Sequence, residues 1–314
     1  MKNLNKDIKG NIFTGLSVIF ILSFLIIFIL LLNLNMSLLE ENNNDLASDN
    51  IKYIVEDYKR NIEVEAGNSL NEISENVFKT NQALGNSEDE IKKVLNKKLE
   101  VKNKEFYKKY NVKISSEVIS VQNADKPEFL KFKTVLTIEK ENEKYKGVVE
   151  SKASVLNLKD PLPLLLCGYH NDLTYNETNF IYGNALGDYL NKRNVGNYES
   201  YINATSPLIL KKCPYDPYIH HGDNETLFNC IKNGYYHESS DGSCYLCRLE
   251  GKGICPHYGF ETFIIPRNNL GNNLNSVSAS DHVVFHDNYP GEQYNYFENR
   301  VIFLDNSHMA KYGL

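Results

Sequence analysis

The sequence has no tryptophan, three methionines and no cysteine before residue 167. It contains none of the short motifs typical of common hydrolases, metalloproteases and nucleotide-binding proteins, namely G-x-S-x-G, H-E-x-x-H, the P-loop and G-x-G-x-x-G. It also lacks an excess of basic residues, because its formal net charge is −6, whereas nucleic-acid-binding proteins usually carry a basic face. These absences predict a protein that is not an enzyme and that has no nucleic-acid partner.

The residues that are present divide the chain into two unlike parts. Residues 1–158 carry 23 basic and 23 acidic side chains, and residues 159–314 carry 11 and 17. The second part also holds all six cysteines, all eight histidines and 16 of the 21 tyrosines. This contrast predicts two structural modules after the N-terminal segment, at residues 36–158 and 159–314.

The N-terminal segment contains a long apolar run. Residues 12–32 are 21 residues without a charge, and a helix of that length spans about 31 Å, close to the hydrocarbon thickness of a bilayer. The run is longer than the apolar region of a cleaved signal peptide, and no small-x-small cleavage site follows it. It therefore predicts a transmembrane anchor at residues 12–34 after a leader at residues 1–11, with the lipid bilayer as a partner.

Charge on either side of this run predicts the orientation of the chain. Three lysines and one aspartate precede the run, and two glutamates follow it. Because basic residues near a membrane favour the cytoplasmic side, we expect a single-pass protein of the cell membrane, with a cytoplasmic N-terminus and an extracytoplasmic C-terminal region. Asn-x-Ser/Thr sequons agree with that location and mark three candidate glycosylation sites in the second part, Asn176, Asn203 and Asn224.

Hydrophobic periodicity predicts an α+β fold for the first module. Apolar residues recur at three- and four-residue steps from Ile51 to Val77, which indicates a long amphipathic helix. A capping box, Ser87 with Glu90, predicts the start of a second helix. Strand patterns follow at Val112–Ile114, at 128–139 and at 145–155, so these segments predict an antiparallel sheet that packs on the helices.

This order of parts resembles a type IV pilin-like subunit over residues 1–158. The resemblance rests on a short basic leader ending at Lys9-Gly10, an apolar helix that continues as an amphipathic helix, and an antiparallel sheet. The family's glutamate five residues after the processing glycine is absent, because Gly15 stands there. The resemblance therefore implies a minor pilin-like surface component and leaves the second module unexplained.

The second module is rich in turn residues, and its cysteines are the main candidates for chemistry. Two roles, disulfide bonds and metal coordination, remain open for the six cysteines, which are Cys167, Cys213, Cys230, Cys244, Cys247 and Cys255. Disulfides are the usual use of an even number of cysteines outside the cytoplasm. The alternative is a zinc site, because three thiolates and one imidazole form a tetrahedral set in Cys244, Cys247, Cys255 and His257. A redox C-x-x-C pair is disfavoured, because loop residues precede the pair in place of a βαβ unit.

The histidines and tyrosines of this module suggest further binding sites. If 283–285 is a strand, His282 and His286 share one face and can form a two-histidine metal site, and Asp305 can bond with His308. Tyrosines near the cysteines are suited to contact a protein or glycan partner. We therefore expect a membrane-anchored structural or binding protein of the cell surface; the alternative is an extracytoplasmic metal-binding protein or metalloenzyme that uses the Cys/His cluster.

Overall fold

A computed structural model describes residues 21–29, 49–141, 143–168, 172–195, 198–215, 217–223, 225–266, 277–286, 291–297 and 300–314. The fold is α+β, as predicted, with helices and both antiparallel and mixed sheets. Two long helices come first, α1 (Asp49–Thr80) and α2 (Ser87–Tyr110). Three strands follow in an antiparallel sheet of order β1-β2-β3, namely β1 (Lys113–Asn123), β2 (Phe129–Lys140) and β3 (Glu143–Ser154).

Helix α1 confirms the predicted amphipathic stripe. The buried side chains recur one helical turn apart, so they form one continuous face that packs on the sheet. This face consists of Ile51, Val55, Tyr58, Ile62, Ala66, Leu70, Ile73 and Val77. Helix α2 adds Ile91, Leu95 and Leu99 to the same hydrophobic core.

The start of α2 differs in detail from the predicted capping box. Asn86 is the N-cap, and its side-chain oxygen accepts a hydrogen bond from the Asp89 backbone N–H. Ser87 instead donates from its backbone N–H and its hydroxyl to Glu250 Oε1, at 2.9 and 2.8 Å. The second part of the chain thus supplies a carboxylate to the N-terminus of α2, where the helix dipole favours negative charge.

The second part consists of short elements. Its helices are α3 (Leu162–Cys167), α4 (Ala185–Lys192), α5 (Thr226–Asn233), α6 (Tyr245–Leu249), α7 (Asp281–Phe285) and α8 (His308–Tyr312). Its strands are β4 (Thr174–Tyr175), β5 (Asn179–Ile181), β6 (Thr205–Pro207), β7 (Lys211–Lys212), β8 (Tyr235–Ser239), β9 (Gly259–Glu261), β10 (Phe263–Ile264), β11 (Val277–Ser280), β12 (Glu292–Phe297) and β13 (Arg300–Leu304). They form sheets of order β4-β5-β6, β7-β8-β9 and β10-β11-β13-β12.

The two parts share one hydrophobic core, and a buried ion cluster begins directly after β3. Leu210, Tyr236, Tyr245, Leu249 and Phe260 pack into the core of the first part. The fully buried Arg248 of α6 binds Asp160 Oδ2 and Asp281 Oδ2, each at 2.5 Å. These contacts join α6, the segment that follows β3, and α7.

The predicted localisation is wrong. In the parts of the chain that the structure describes, no helix combines the length and the apolar character that a membrane crossing requires. Within the predicted anchor, only residues 21–29 are described; they are helical, and nine residues rise about 14 Å, less than half of a bilayer core. The leader and the remainder of residues 12–34 lie outside the described residues.

The predicted strand at 283–285 is also wrong. Residues Asp281–Phe285 form the short helix α7, and Ser280 is its N-cap. The Asp281 carboxylate accepts from the backbone N–H groups of Thr262 and His282, so it favours a helical turn over an extended strand here. The apolar residues Val301–Leu304 do lie in a strand, β13.

Candidate metal centres

Two cysteines and two histidines converge in the second part and form what we name the first Cys/His site. It consists of Cys213, His221, Cys230 and His237, which are all buried. Cys213 follows β7 and lies beside His237 of β8, because Lys212 pairs with Tyr236 in the register of these parallel strands. Cys230 is on the buried face of α5, and His221 ends a 3₁₀ turn at Tyr218–His220.

The spacing of these side chains fits a metal ion. Cys213 Sγ is 3.2 Å from Cys230 Sγ and 3.5 Å from His221 Nε2, and one ligand atom from each of the four residues lies within 4.8 Å of the others. With Zn–S of 2.3 Å and Zn–N of about 2.05 Å, a tetrahedral site places sulfur and nitrogen about 3.6 Å apart and two sulfurs about 3.8 Å apart. The sulfur–nitrogen distance matches, and the sulfur pair is about 0.6 Å closer than the ideal.

The electrostatics of the first Cys/His site favour a neutral His237 and a Cys213 thiolate, whereas the hydrogen bond with Cys213 and burial raise the pKa of Cys230. Burial lowers the pKa of His237 to about 4, so its imidazole is neutral at pH 7. The Cys230 thiol, and then His221 and His237, lower the pKa of Cys213 and favour its thiolate. One ring nitrogen of each histidine, His221 Nδ1 and His237 Nε2, is buried without a hydrogen-bond partner among the described residues.

A second hydrogen-bonded layer orients His237. Tyr312 OH donates to Glu261 Oε1, so it accepts from His237 Nδ1–H at 2.6 Å. This fixes the tautomer and leaves the Nε2 lone pair of His237 directed away from Tyr312. Metal-bound histidines usually have such an acceptor on their other nitrogen.

The second Cys/His site consists of Cys244, Cys247, Cys255 and His257, as the zinc alternative predicted. Cys244 is the N-cap of α6, Cys247 lies within α6, and the other two follow on the next loop. His257 Nδ1 is 3.6 Å from both Cys244 Sγ and Cys247 Sγ, which equals the sulfur–nitrogen distance of about 3.6 Å in tetrahedral zinc sites.

Within the second site, a backbone contact and neighbouring thiols support thiolate character at Cys255, whereas hydrogen bonds with Cys244 and Cys255 raise the pKa of Cys247. The Cys244 backbone N–H donates to Cys255 Sγ at 3.3 Å. Hydrogen bonds from the Cys244 and Cys247 thiols lower the pKa of Cys255, although burial acts against this. The cysteines are buried or half-buried while His257 is exposed, so this site lies at the surface.

All six cysteines are unbonded thiols, and the sixth differs from the others. Cys167 lies in α3 within an apolar cluster that includes Phe180 and Leu186, and burial raises the pKa of its thiol. The 3.2 Å between Cys213 Sγ and Cys230 Sγ exceeds a disulfide bond of about 2.05 Å. The disulfide prediction stays a prediction, and the convergence of histidines on both cysteine groups favours metal.

A third polar group, which we name the His/Glu network, consists of Glu261, His282, Asp305 and His308. Glu261 ends β9, His282 lies in α7, and His308 begins α8. The predicted bond between Asp305 and His308 is confirmed, with Asp305 Oδ1 at 2.5 Å from His308 Nδ1. His282 and His286 do not form the predicted pair, because His282 lies with Glu261 and His308 and binds Asp305 instead.

The network lines an open cleft of about 550 Å³. Its lining residues include Cys255, His282, His286 and Asp305. Residues of the second Cys/His site and of the His/Glu network therefore line the same cleft.

The remaining predicted site residues are described only in part. Asn176 is exposed, and its side-chain oxygen accepts from the backbone of Thr178 and Asn179. Asn203 is half-buried, with a positive φ of 57°, and Asn224 lies outside the described residues. Their glycosylation stays a prediction. So does a protein or glycan partner at the tyrosines, of which Tyr215 and Tyr258 are exposed.

Comparison with known proteins yields no relative. No protein-family model matches the chain, and no curated protein and no solved structure is significantly similar to it. The pilin-like resemblance therefore stays a prediction, and the site geometry carries the functional argument.

Sequence reasoning missed the first Cys/His site and the role of Glu261. The spacing C-x7-H-x8-C-x6-H from residue 213 to 237 does not match common zinc modules. The available signal was composition, because two cysteines and three histidines lie within 25 residues. Glu261 carried no sequence signal, because a single glutamate in a strand is common.

Proposed function

We propose that this protein binds two zinc ions, which serve as structural cross-links of residues 205–314. The observation that carries the proposal is the convergence of two separate Cys/His sets, each with four ligand residues. Complete four-residue sets leave no open position, which is typical of structural zinc sites and not of catalytic ones.

Zinc supplies stability that the short elements of this part cannot provide by themselves. The helices here have at most eight residues and the strands at most six, so few hydrogen bonds and apolar contacts hold each one. Ordering the backbone costs about 1–2 kcal/mol per residue. Structural zinc contributes about 10–16 kcal/mol in small zinc modules, compared with about 2–4 kcal/mol for one disulfide.

The two sites hold different elements together. The first Cys/His site joins β7, α5 and β8, and the second joins α6 to the loop before β9. Because β8 pairs with β9, both ions stabilise one sheet. The proposed scaffold holds Cys255, which lines the cleft, and this cleft is the candidate contact surface of a binding protein.

The test is the metal content of the purified full chain and of matched cysteine variants. We expect two zinc ions in the wild type, one in Cys213→Ser and one in Cys247→Ser. Cys167→Ala is the control and keeps two, because Cys167 is remote from both sites. Cobalt substitution adds an independent signal, since each Cys/His site gives thiolate-to-cobalt charge-transfer absorption.

Disulfides predict the opposite behaviour. Under that alternative the chain holds no zinc, a chelator leaves the melting temperature unchanged, and a reductant lowers it. We expect the chelator to lower the melting temperature and the reductant to leave it unchanged while zinc is bound. A protein without zinc and without cobalt charge-transfer absorption contradicts the proposal.

A further inference from the structure

In the His/Glu network, each of the two histidines turns one ring nitrogen towards Asp305 and the other towards Glu261. An ordinary ion-pair cluster does not need this arrangement. Asp305 binds both histidines on the nitrogens that face away from Glu261: Oδ2 is 2.5 Å from His282 Nε2, and Oδ1 is 2.5 Å from His308 Nδ1. Both rings therefore present their other nitrogen, His282 Nδ1 and His308 Nε2, to Glu261 Oε2.

One of these nitrogens has no partner. His282 Nδ1 is buried and forms no hydrogen bond within the described residues. It is 3.4 Å from Glu261 Oε2 and 3.8 Å from Asp281 Oδ1, and the side chain of His282 is 4% exposed. A buried, unpartnered imidazole nitrogen is costly unless a ligand satisfies it.

We propose that Glu261, His282 and His308 form a third metal site, for an exchangeable divalent cation of the zinc class. Two imidazoles and one carboxylate are a known catalytic ligand set for zinc, and an aspartate behind metal-bound histidines is a common second layer. The separation of 3.4 Å between His282 Nδ1 and Glu261 Oε2 equals the edge of a tetrahedron with bonds of about 2.1 Å.

Glu261 is held for this role by its other oxygen. Lys311 Nζ at 2.7 Å and Tyr312 OH both donate to Glu261 Oε1, so Oε2 faces the two histidines. His308 Nε2 lies 2.5 Å from Oε2, which is a hydrogen-bond distance. A cation between them requires these two atoms to separate by about 0.5–0.9 Å.

The net charge of the surroundings accommodates a divalent cation. The ion pairs around the network connect four carboxylates, those of Asp160, Glu261, Asp281 and Asp305, with the cations Arg248 and Lys311. With both imidazoles neutral the cluster carries a net charge of −2, equal and opposite to that of one divalent cation. Burial lowers the pKa of His282 and His308, but the neighbouring carboxylates raise both above the ordinary value, so a cation that binds here displaces two protons.

The cleft reaches the network at His282 and Asp305, whereas Glu261 and His308 are fully buried. The proposed site has three protein ligands, one fewer than each Cys/His site, so a tetrahedral ion would take its fourth ligand from outside this set. Its fourth ligand is a water or an oxygen donor of a molecule in the cleft.

The test titrates cobalt into the full chain that already holds two zinc ions. We expect one additional equivalent to bind without thiolate-to-cobalt charge-transfer absorption. Glu261→Gln and His282→Gln weaken this binding at least tenfold, and Asp305→Asn weakens it by about 10- to 100-fold as a positioning residue. His220→Gln is the matched control, because His220 is an exposed histidine paired only with Asp223.

Circular dichroism and zinc content establish that each variant is folded with both Cys/His sites intact. If the wild type binds no cobalt in addition to its two zinc ions, the third site is overturned and the two-zinc proposal stays intact. Unchanged binding in both Glu261→Gln and His282→Gln also overturns it, and the network is then an ion-pair cluster with protonated histidines. Charge-transfer absorption from the third equivalent shows instead that the Cys/His sites were incompletely filled, and it overturns the assignment.

Discussion

Replacing Arg248 by methionine is expected to destabilise the protein more than any other single removal of a cation. The guanidinium is fully buried and 2.5 Å from carboxylate oxygens of Asp160 and Asp281, whose side chains are each 1% exposed. Removing it leaves two buried carboxylates without their common cation, and removing one partner of a buried ion pair costs about 3–5 kcal/mol. The expected loss in free energy of unfolding is therefore about 4 kcal/mol.

The assay is urea unfolding of the zinc-loaded full chain at pH 7. For an m value of about 2 kcal/mol per M, a loss of about 4 kcal/mol moves the unfolding midpoint by about 2 M. Lys131→Met is the matched control, because Lys131 forms a 2.7 Å ion pair with Glu150 at the surface. Surface pairs contribute about 0–1 kcal/mol, so its midpoint changes little.

The pH dependence separates the charge effect from lost packing. Burial raises the pKa of Asp281, but Arg248 and His282 lower it below its ordinary value. Without Arg248 the burial effect prevails and the carboxyl takes up a proton more readily. The difference in free energy of unfolding between wild type and Arg248→Met is then largest at neutral pH. It decreases as the pH falls through the raised pKa of Asp281 in the variant. A loss below about 1 kcal/mol, or one that is independent of pH, refutes this reasoning.

Three further outcomes are expected. Tyr312→Phe removes the acceptor of His237 and weakens zinc retention at the first Cys/His site about tenfold in a competition assay with a chelator, while zinc at the second site is unaffected. Asn86→Ala removes the N-cap of α2 and lowers the free energy of unfolding by about 1 kcal/mol, without changing zinc content. Cys167→Ser places a hydroxyl in an apolar cluster and costs about 1–3 kcal/mol in urea unfolding, with both zinc ions retained.

Local periodicity was sufficient to predict the first part of the fold. The stripe from Ile51 to Val77 and the hairpin of β2 and β3 are formed by contacts between near neighbours in sequence, so their patterns repeat at short steps. The second Cys/His site was predictable for the same reason, because its four residues span 14 positions. The position at which α2 starts was predicted, but its capping contacts were not, since Asn86 is the N-cap and Glu250, 163 residues away from Ser87, takes part in the capping.

The remaining features depend on contacts that no local pattern contains. The α7 segment reads as a strand from its apolar residues, and only the bonds of Asp281 with Thr262 and Arg248 favour the helical turn. The His/Glu network joins residues 261, 282, 305 and 308 from separate elements. The localisation inferred from residues 12–32 and their flanking charges was wrong, because no described helix is long and apolar enough to cross a membrane.

The metal sites and the buried Arg248 are not independent features. A continuous set of hydrogen bonds and ion pairs leads from the first Cys/His site to Asp160, which follows β3 in sequence. It runs through His237, Tyr312, Glu261, His308, Asp305, His282, Asp281 and Arg248. Every link is buried or half-buried, and an unpaired group in such a set costs more than an exposed one. Loss of zinc from the first site leaves the His237 imidazole without a bound metal. We expect the resulting loss of stability to extend along this set to the shared core. We therefore infer that the metal-bound part and the helix–sheet part unfold together, with zinc loss lowering the stability of both.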